Sequence, residues 1–108
     1  MVMKQEVRCS RRMAIFAVFD ILDRLQAAYE QHILGDIKAQ INFQGKISEF
    51  AFAVTENSED QSILHIPILY PAMDLSADEA WAALEYLRSI IVSHIEEVQN
   101  TEIGKSFL

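Results

Sequence analysis

The sequence has few of the residues from which common functional motifs are built. Its 108 residues include one cysteine, three glycines and two prolines. Cys9 alone can form neither an intrachain disulfide nor a CxxC zinc pair, which is typical of a protein in a reducing compartment. Three scattered glycines cannot form a phosphate-cradling loop, and no serine lies in a GxSxG context. We therefore expect no cofactor, no metal, no enzymatic activity and a cytoplasmic location.

Long hydrophobic runs are also missing. The apolar run 13–19 is followed by Asp20 and Asp23, so no stretch approaches the roughly twenty apolar residues that a membrane-spanning helix needs. No small-residue cleavage site follows the run, which favours a core helix over a signal peptide. Half of the residues are apolar, and there is no linker, repeat or low-complexity segment. These features predict one soluble domain over residues 1–108, with no membrane partner.

The charge is acidic and unevenly distributed. The net charge is −7, yet residues 1–12 contain four basic side chains and one acidic side chain. We expect residues 1–10 to form a mobile, solvated basic N-terminus. The alternative is that the basic side chains contact an anion or an acidic partner; these are Lys4, Arg8, Arg11 and Arg12. The acidic body should repel nucleic acid, so a nucleic-acid regulator that uses this segment is only the second alternative function.

Hydrophobic periodicity indicates the fold. Residues 13–34 and 77–99 have the three-to-four spacing of helices, whereas residues 37–70 alternate as strands do. Gly35 is expected to end the first helix, and Ser76 and Glu79 form a capping box at the start of the second. The order predicts an α+β two-layer sandwich: a three-stranded antiparallel meander with two long helices on one face (α-β-β-β-α). Residues 100–108 are expected to form a C-terminal tail.

The third predicted strand has apolar side chains on both faces. Pro67 lacks an amide hydrogen, so this strand should lie at the edge of the sheet. The outward row and the tail together form the predicted interaction surface: Ile63, His65, Pro67, Leu69, Phe107 and Leu108. Either the tail folds over the row or two copies of the sheet pack together as a homodimer, which we favour.

Other candidate sites have weaker signals. His32, His65 and His94 could approach one another at one end of the layers, but their spacing matches no metal motif. Cys9 lies in a basic segment that could lower the pKa of its thiol, yet no histidine is near it in sequence. A pocket between sheet and helices could be lined by five aromatic residues, although aromatics at such positions are more often core: Tyr29, Phe50, Phe52, Trp81 and Tyr86.

The sequence therefore favours association over chemistry. We expect a small acidic protein-binding module of chaperone, inhibitor or immunity type that acts by stoichiometric association with a protein partner. The alternative is a small-ligand-binding or catalytic domain with a pocket between the sheet and the helices. An open cavity with converging polar groups would favour that alternative, whereas a fully packed space between the layers would exclude it.

Overall fold

The computed structural model describes residues 1–32 and 35–106, of which residues 102–106 are described as backbone only. The elements of this part follow in the order β1 (Val2–Val7), α1 (Arg11–Arg24), β2 (Ala28–Gln31), β3 (Ile37–Phe43), β4 (Lys46–Ser58), β5 (Gln61–Tyr70) and α2 (Ala77–Ser106). The strands form one sheet in the order β1-β5-β4-β3-β2, and every neighbouring pair is antiparallel.

The α+β class is confirmed, but the predicted three-stranded layout is wrong in detail. Strands β3, β4 and β5 are the expected meander, because their alternating side chains bury one face. The sheet has an additional strand at each edge, so the observed order is β-α-β-β-β-β-α. Both additional strands lie in segments to which the sequence pattern assigned no strand.

The N-terminal segment is a strand, not a mobile tail. Strand β1 pairs with β5 from Val2–Pro67 to Val7–Ser62. This pairing places β5 inside the sheet, so the predicted edge position of Pro67 is wrong. Pro67 pairs with Val2 of β1, and the β4–β5 pairs on either side of it, Ala53–His65 and Phe50–Ile68, keep one register. A proline inside the sheet is therefore accommodated without a shift of the neighbouring strand, although it donates no ladder hydrogen bond.

The first helix ends ten residues earlier than the spacing predicts. It ends at Arg24 because Gln26 adopts a left-handed conformation (φ 55°). The amide of Gln26 donates to the Asp23 carbonyl and the amide of Ala27 donates to the Leu22 carbonyl, the bonding pattern of a Schellman motif. The chain then reverses into β2, which pairs with β3. Gly35, expected to end the helix, lies between β2 and β3 instead.

The core lies between the inner face of the sheet and the two helices. Phe50 and Phe52 of β4 and Leu64 and Ile66 of β5 are at most 2% exposed. Helices α1 and α2 contact each other and the sheet, and their fully buried side chains are Val18, Leu22, Leu84, Leu87 and Ile91. Burying these apolar side chains supplies most of the driving force for folding.

The C-terminal helix is longer than expected. It continues through residues 100–106, which the sequence pattern assigned to an irregular tail. In the described part of the chain, neither helix combines the length and the apolar character that crossing a bilayer requires.

Candidate ligand-binding site

A pocket of about 250 Å³ lies between α2 and the β3–β4 hairpin, and we call it the sheet–helix pocket. Ile41 and Phe50 form its floor on the sheet, and Ala83 and Leu87 form its roof on α2. Leu25, directly after α1, closes one side. All four floor and roof side chains are at most 5% exposed, so the interior wall is apolar and rigid.

The mouth of the sheet–helix pocket combines aromatic rings with uncharged polar side chains. Phe43 and Tyr86 lie with their ring centroids 6.0 Å apart at 45°, a favourable tilted arrangement. Asn42 and Gln44 complete the rim. No carboxylate, lysine, arginine, histidine or cysteine side chain is among the lining residues of this pocket. The surroundings therefore suit an uncharged, largely apolar molecule that makes one or two hydrogen bonds at the rim.

A tight turn builds this rim from local sequence. Gln44 and Gly45 both have positive φ, 55° and 85°, as the central residues of a type I′ hairpin turn do. The Asn42 side-chain oxygen accepts a hydrogen bond of 2.8 Å from the amide of Gly45. The turn predicted at residues 44–46 is thus present, and it carries Phe43 towards α2.

The start of α2 is tied to the same hairpin. Lys46, the first residue of β4, donates to both carboxylate oxygens of Glu79 at 2.9 and 3.0 Å and to the backbone carbonyl of Asp74 at 2.8 Å. Ser76 and Glu79 form the predicted capping box, with reciprocal bonds of 3.1 Å. The bonds from Lys46 and then from Ser76 lower the pKa of Glu79 to about 2, and the bond to Glu79 raises the pKa of Lys46. The roof and the floor of the pocket are therefore linked by an ion pair.

Two of the five predicted pocket aromatics line the sheet–helix pocket: Phe50 and Tyr86. Phe52 is core, and Trp81 is 44% exposed outside the lining. The hydroxyl of Tyr29 donates to Asp23 at 2.8 Å, a bond that raises the pKa of Tyr29. The residues that the sequence pattern missed are Asn42, Phe43 and Gln44. The turn that contains these residues was recognisable from the sequence, but no local sequence pattern shows that the turn lies beneath α2.

The predicted interaction row lies on the face of β5 that points away from the core. Ile63, His65 and Pro67 are half-buried and alternate with the buried Leu64 and Ile66. Leu69 is 36% exposed. Phe107 and Leu108 lie outside the described residues. The homodimer stays a prediction, which sedimentation at micromolar concentration can test.

The four basic residues are spread over β1, α1 and the segment between them and have different surroundings. Lys4 lies in β1 opposite His65, and Arg8 lies between β1 and α1. Arg11 donates to the Val54 carbonyl at 2.9 Å, and the Arg12 guanidinium lies 5.5 Å from the centre of the Phe16 ring. Contact of these side chains with an anion stays a prediction.

The three histidines have separate partners. His32 lies 3.3 Å from Glu30, His65 bonds Thr55 at 3.2 Å, and His94 bonds Asp20 at 2.9 Å. Among the described side chains, which are those of residues 1–32 and 35–101, no group of three or more histidine, cysteine, aspartate or glutamate residues could hold a metal ion.

Cys9 is only 4% exposed. Burial raises the pKa of the Cys9 thiol, so the lowered pKa considered from the sequence is not found and the thiol behaves as a core group.

Comparisons with known proteins identify the fold. No protein-family model matches the chain, and no curated protein matches it in sequence. Among solved structures, the di-domain aromatase/cyclase StfQ from the steffimycin biosynthetic pathway matches with a TM-score of 0.64 at 7% identity. That match covers 93% of this chain and 46% of StfQ, so the chain spans about half of StfQ. A START superfamily protein from Mycobacterium smegmatis matches with a TM-score of 0.60 at 13% identity, over 91% of this chain and 97% of that protein.

These similarities correct the favoured functional prediction. The structural neighbours are a START-superfamily protein and an aromatase/cyclase, and neither is a protein of chaperone, inhibitor or immunity type. The prediction of a protein-binding module is therefore wrong, and the alternative of a pocket between sheet and helices is the better interpretation. At these identities the similarity establishes the fold alone: an α+β fold with a five-stranded antiparallel sheet and a C-terminal helix, similar to that of the START superfamily protein.

Proposed function

We propose that this protein binds a small, uncharged and largely apolar molecule in the sheet–helix pocket. The observation that carries the proposal is the open pocket between the two layers, at the junction of α2 with the β3–β4 hairpin. A fully packed junction would have left no room for a ligand. The fold shared with START-superfamily and aromatase/cyclase proteins supports the same function.

The size and lining of the pocket limit the ligand. About 250 Å³ is just below the usual range of small-molecule sites, so the ligand is small or only partly enclosed. The uncharged lining disfavours ions, because a charge placed there loses its hydration without gaining a partner. The flat walls of Phe50 and Tyr86 favour a planar ring, and the Asn42 side chain at the rim can bond one polar group on it.

The test is binding of naphthol, a planar ring system with one hydroxyl group, measured by ligand-observed NMR. Tyr86→Ala removes one wall of the mouth and should weaken binding about three- to tenfold, since an aromatic contact contributes about 0.5–1.5 kcal/mol beyond the area that it buries. Trp81→Ala is the matched control, because Trp81 lies on the same helix and both side chains are 44% exposed. The control should bind as the unmodified protein does.

Two results would reject the proposal. One is an absence of saturation transfer to naphthol and to other planar neutral ligands of its size. The other is equal weakening by Tyr86→Ala and Trp81→Ala, which would indicate nonspecific contact with exposed aromatics.

A further inference from the structure

A second cavity, of about 390 Å³, lies between α1 and the C-terminal half of α2. We call it the interhelical cleft. Its apolar walls come from both helices, with Met13, Phe16 and Ala17 on α1 and Ile95 and Val98 on α2. It shares no lining residue with the sheet–helix pocket. Phe16 is 54% exposed there, so an apolar surface of the cleft is open to solvent.

One end of the interhelical cleft is formed by a buried histidine and a carboxylate. His94 is only 6% exposed, and its Nε2 lies 2.9 Å from Oδ2 of Asp20. The second ring nitrogen, Nδ1, is buried without a hydrogen-bond partner among the described residues. Asp20 itself is 58% exposed. Within the described part of the chain, its second oxygen, Oδ1, accepts no hydrogen bond from the protein. The Asp20 carboxylate is therefore held in place at this end of the cleft, and its Oδ1 can accept a hydrogen bond from a ligand.

The other end of the cleft is positive. Ser10 caps α1 and Arg12 lies in its first turn, where there is no acidic side chain to offset the positive end of the helix dipole. The Arg12 guanidinium lies over the Phe16 ring and forms no ion pair with the described residues. The cation of the cleft is thus available, whereas the carboxylate already has His94 as a partner. This asymmetry favours an anionic group at Arg12 and a neutral donor at Asp20.

The spacing of the two ends sets the length of the ligand. Arg12 and Asp20 are eight residues apart on α1, which corresponds to about 12 Å along a helix. Apolar side chains occupy the space between them. A ligand that meets both ends must be elongated, with an apolar body between two polar groups.

We propose that the interhelical cleft is a second binding site, for an elongated amphipathic organic acid that has a hydroxyl group at the end opposite its carboxylate. The carboxylate pairs with Arg12 near the start of α1, the apolar body packs on Phe16 and Ile95, and the hydroxyl donates to Oδ1 of Asp20. His94 acts as a positioning residue, because its bond to Oδ2 holds the carboxylate against the cleft.

The test is isothermal titration calorimetry of the full chain with ω-hydroxydecanoate and with decanoate. The hydroxylated acid should bind about three- to tenfold more tightly, the effect of one hydrogen bond. Asp20→Ala removes the oxygen to which the hydroxyl would donate and leaves no group that could bond the hydroxyl in its place, so it should abolish this difference. Arg12→Gln should weaken both acids about three- to tenfold and reduce the dependence of binding on salt.

Three variants outside the interhelical cleft serve as controls. Asp23→Ala and Arg24→Gln change residues of the same charge on the same helix outside the cleft and should leave both affinities unchanged. Tyr86→Ala, in the other pocket, should also have no effect. No binding by the folded protein, equal affinity for the two acids, or loss of binding with Tyr86→Ala would overturn the proposal. The last result would assign the acid to the sheet–helix pocket instead.

Discussion

Removal of the Asp20 carboxylate tests whether the bond between α1 and α2 contributes to stability. In Asp20→Ala, the buried His94 ring loses the partner of its Nε2, and its Nδ1 has no hydrogen-bond partner, the Glu97 carboxylate lying 4.0 Å away. Leaving a buried polar group unsatisfied costs about 1–3 kcal/mol. Because Asp20 is 58% exposed, water can enter part of the vacated position, so we expect the lower half of this range, about 1–2 kcal/mol.

Urea unfolding followed by circular dichroism measures this loss. With a slope of about 1.5 kcal/mol per molar urea, the midpoint should fall by roughly 1 M at unchanged slope. The helix propensity of alanine opposes the loss by a few tenths of a kcal/mol, so a single variant is not sufficient.

A double-mutant cycle isolates the pair. His94→Leu replaces the ring with an apolar side chain that suits the neighbouring core, and the effect of Asp20→Ala is then measured in that background. We expect Asp20→Ala to cost at least about 1 kcal/mol less there, because no buried nitrogen is left unpaired. A coupling energy near zero would contradict this expectation, because it would show that the hydrogen bond between Asp20 and His94 adds no stability to the packing of the two helices.

Three further predictions concern the elements that frame the pockets. Gln26→Gly should raise the free energy of unfolding by about 0.5–1 kcal/mol, because glycine adopts the observed φ of 55° without strain; a fall in the thermal midpoint would contradict this. Arg11→Met should lower the free energy of unfolding by about 1 kcal/mol, because it leaves the carbonyl of Val54 without its 2.9 Å donor, and Arg11→Lys should recover part of the loss in the same thermal scan. Glu79 has a pKa of about 2 in the folded state and an ordinary value of 4.5, so the unfolded state binds more protons between pH 2 and pH 4.5. The stability that the Glu79 carboxylate contributes is therefore complete above pH 4.5 and is lost as the pH falls towards 2. Urea midpoints across this range should therefore decline less steeply in Glu79→Gln, and an identical decline would be evidence against the ion pair with Lys46.

The elements that local signals specify could be predicted from the sequence. Buried and less buried side chains alternate along β3 and, apart from the buried Ala51, along the central part of β4. Ser76 and Glu79 mark the start of α2 with a capping box that the structure contains. The turn at Gln44 and Gly45 was found for the same reason. In each case the residues that determine the conformation lie within a few positions of one another.

The edge strands could not be predicted because their signals are not local. The inward positions of β1 include the polar Gln5 beside Met3 and Val7, and its pairing with β5 joins residues about sixty positions apart. Helix α1 ends at a left-handed glutamine, whereas sequence patterns associate that conformation with glycine. Because no glycine marks this helix end, the helical spacing continues through Tyr29, which lies in β2 in the structure.

The candidate sites depend on tertiary packing in the same way. Phe50 and Tyr86 are recognisable as apolar residues of the layer between sheet and helices, but Asn42 and Phe43 join them only because the hairpin lies beneath α2. His94 has no sequence motif, and its pairing with Asp20 depends on how α1 and α2 pack. No spacing along the chain connects residues that are seventy-four positions apart.

Binding of a small molecule between the sheet and α2 can be measured residue by residue in an amide-resolved NMR titration with naphthol. We expect saturable shifts confined to the amides of residues 41–45, 50 and 83–87, which border the sheet–helix pocket. Shifts along the outer face of β5 at residues 63–69, or no shifts at ligand concentrations up to the solubility limit, would contradict it.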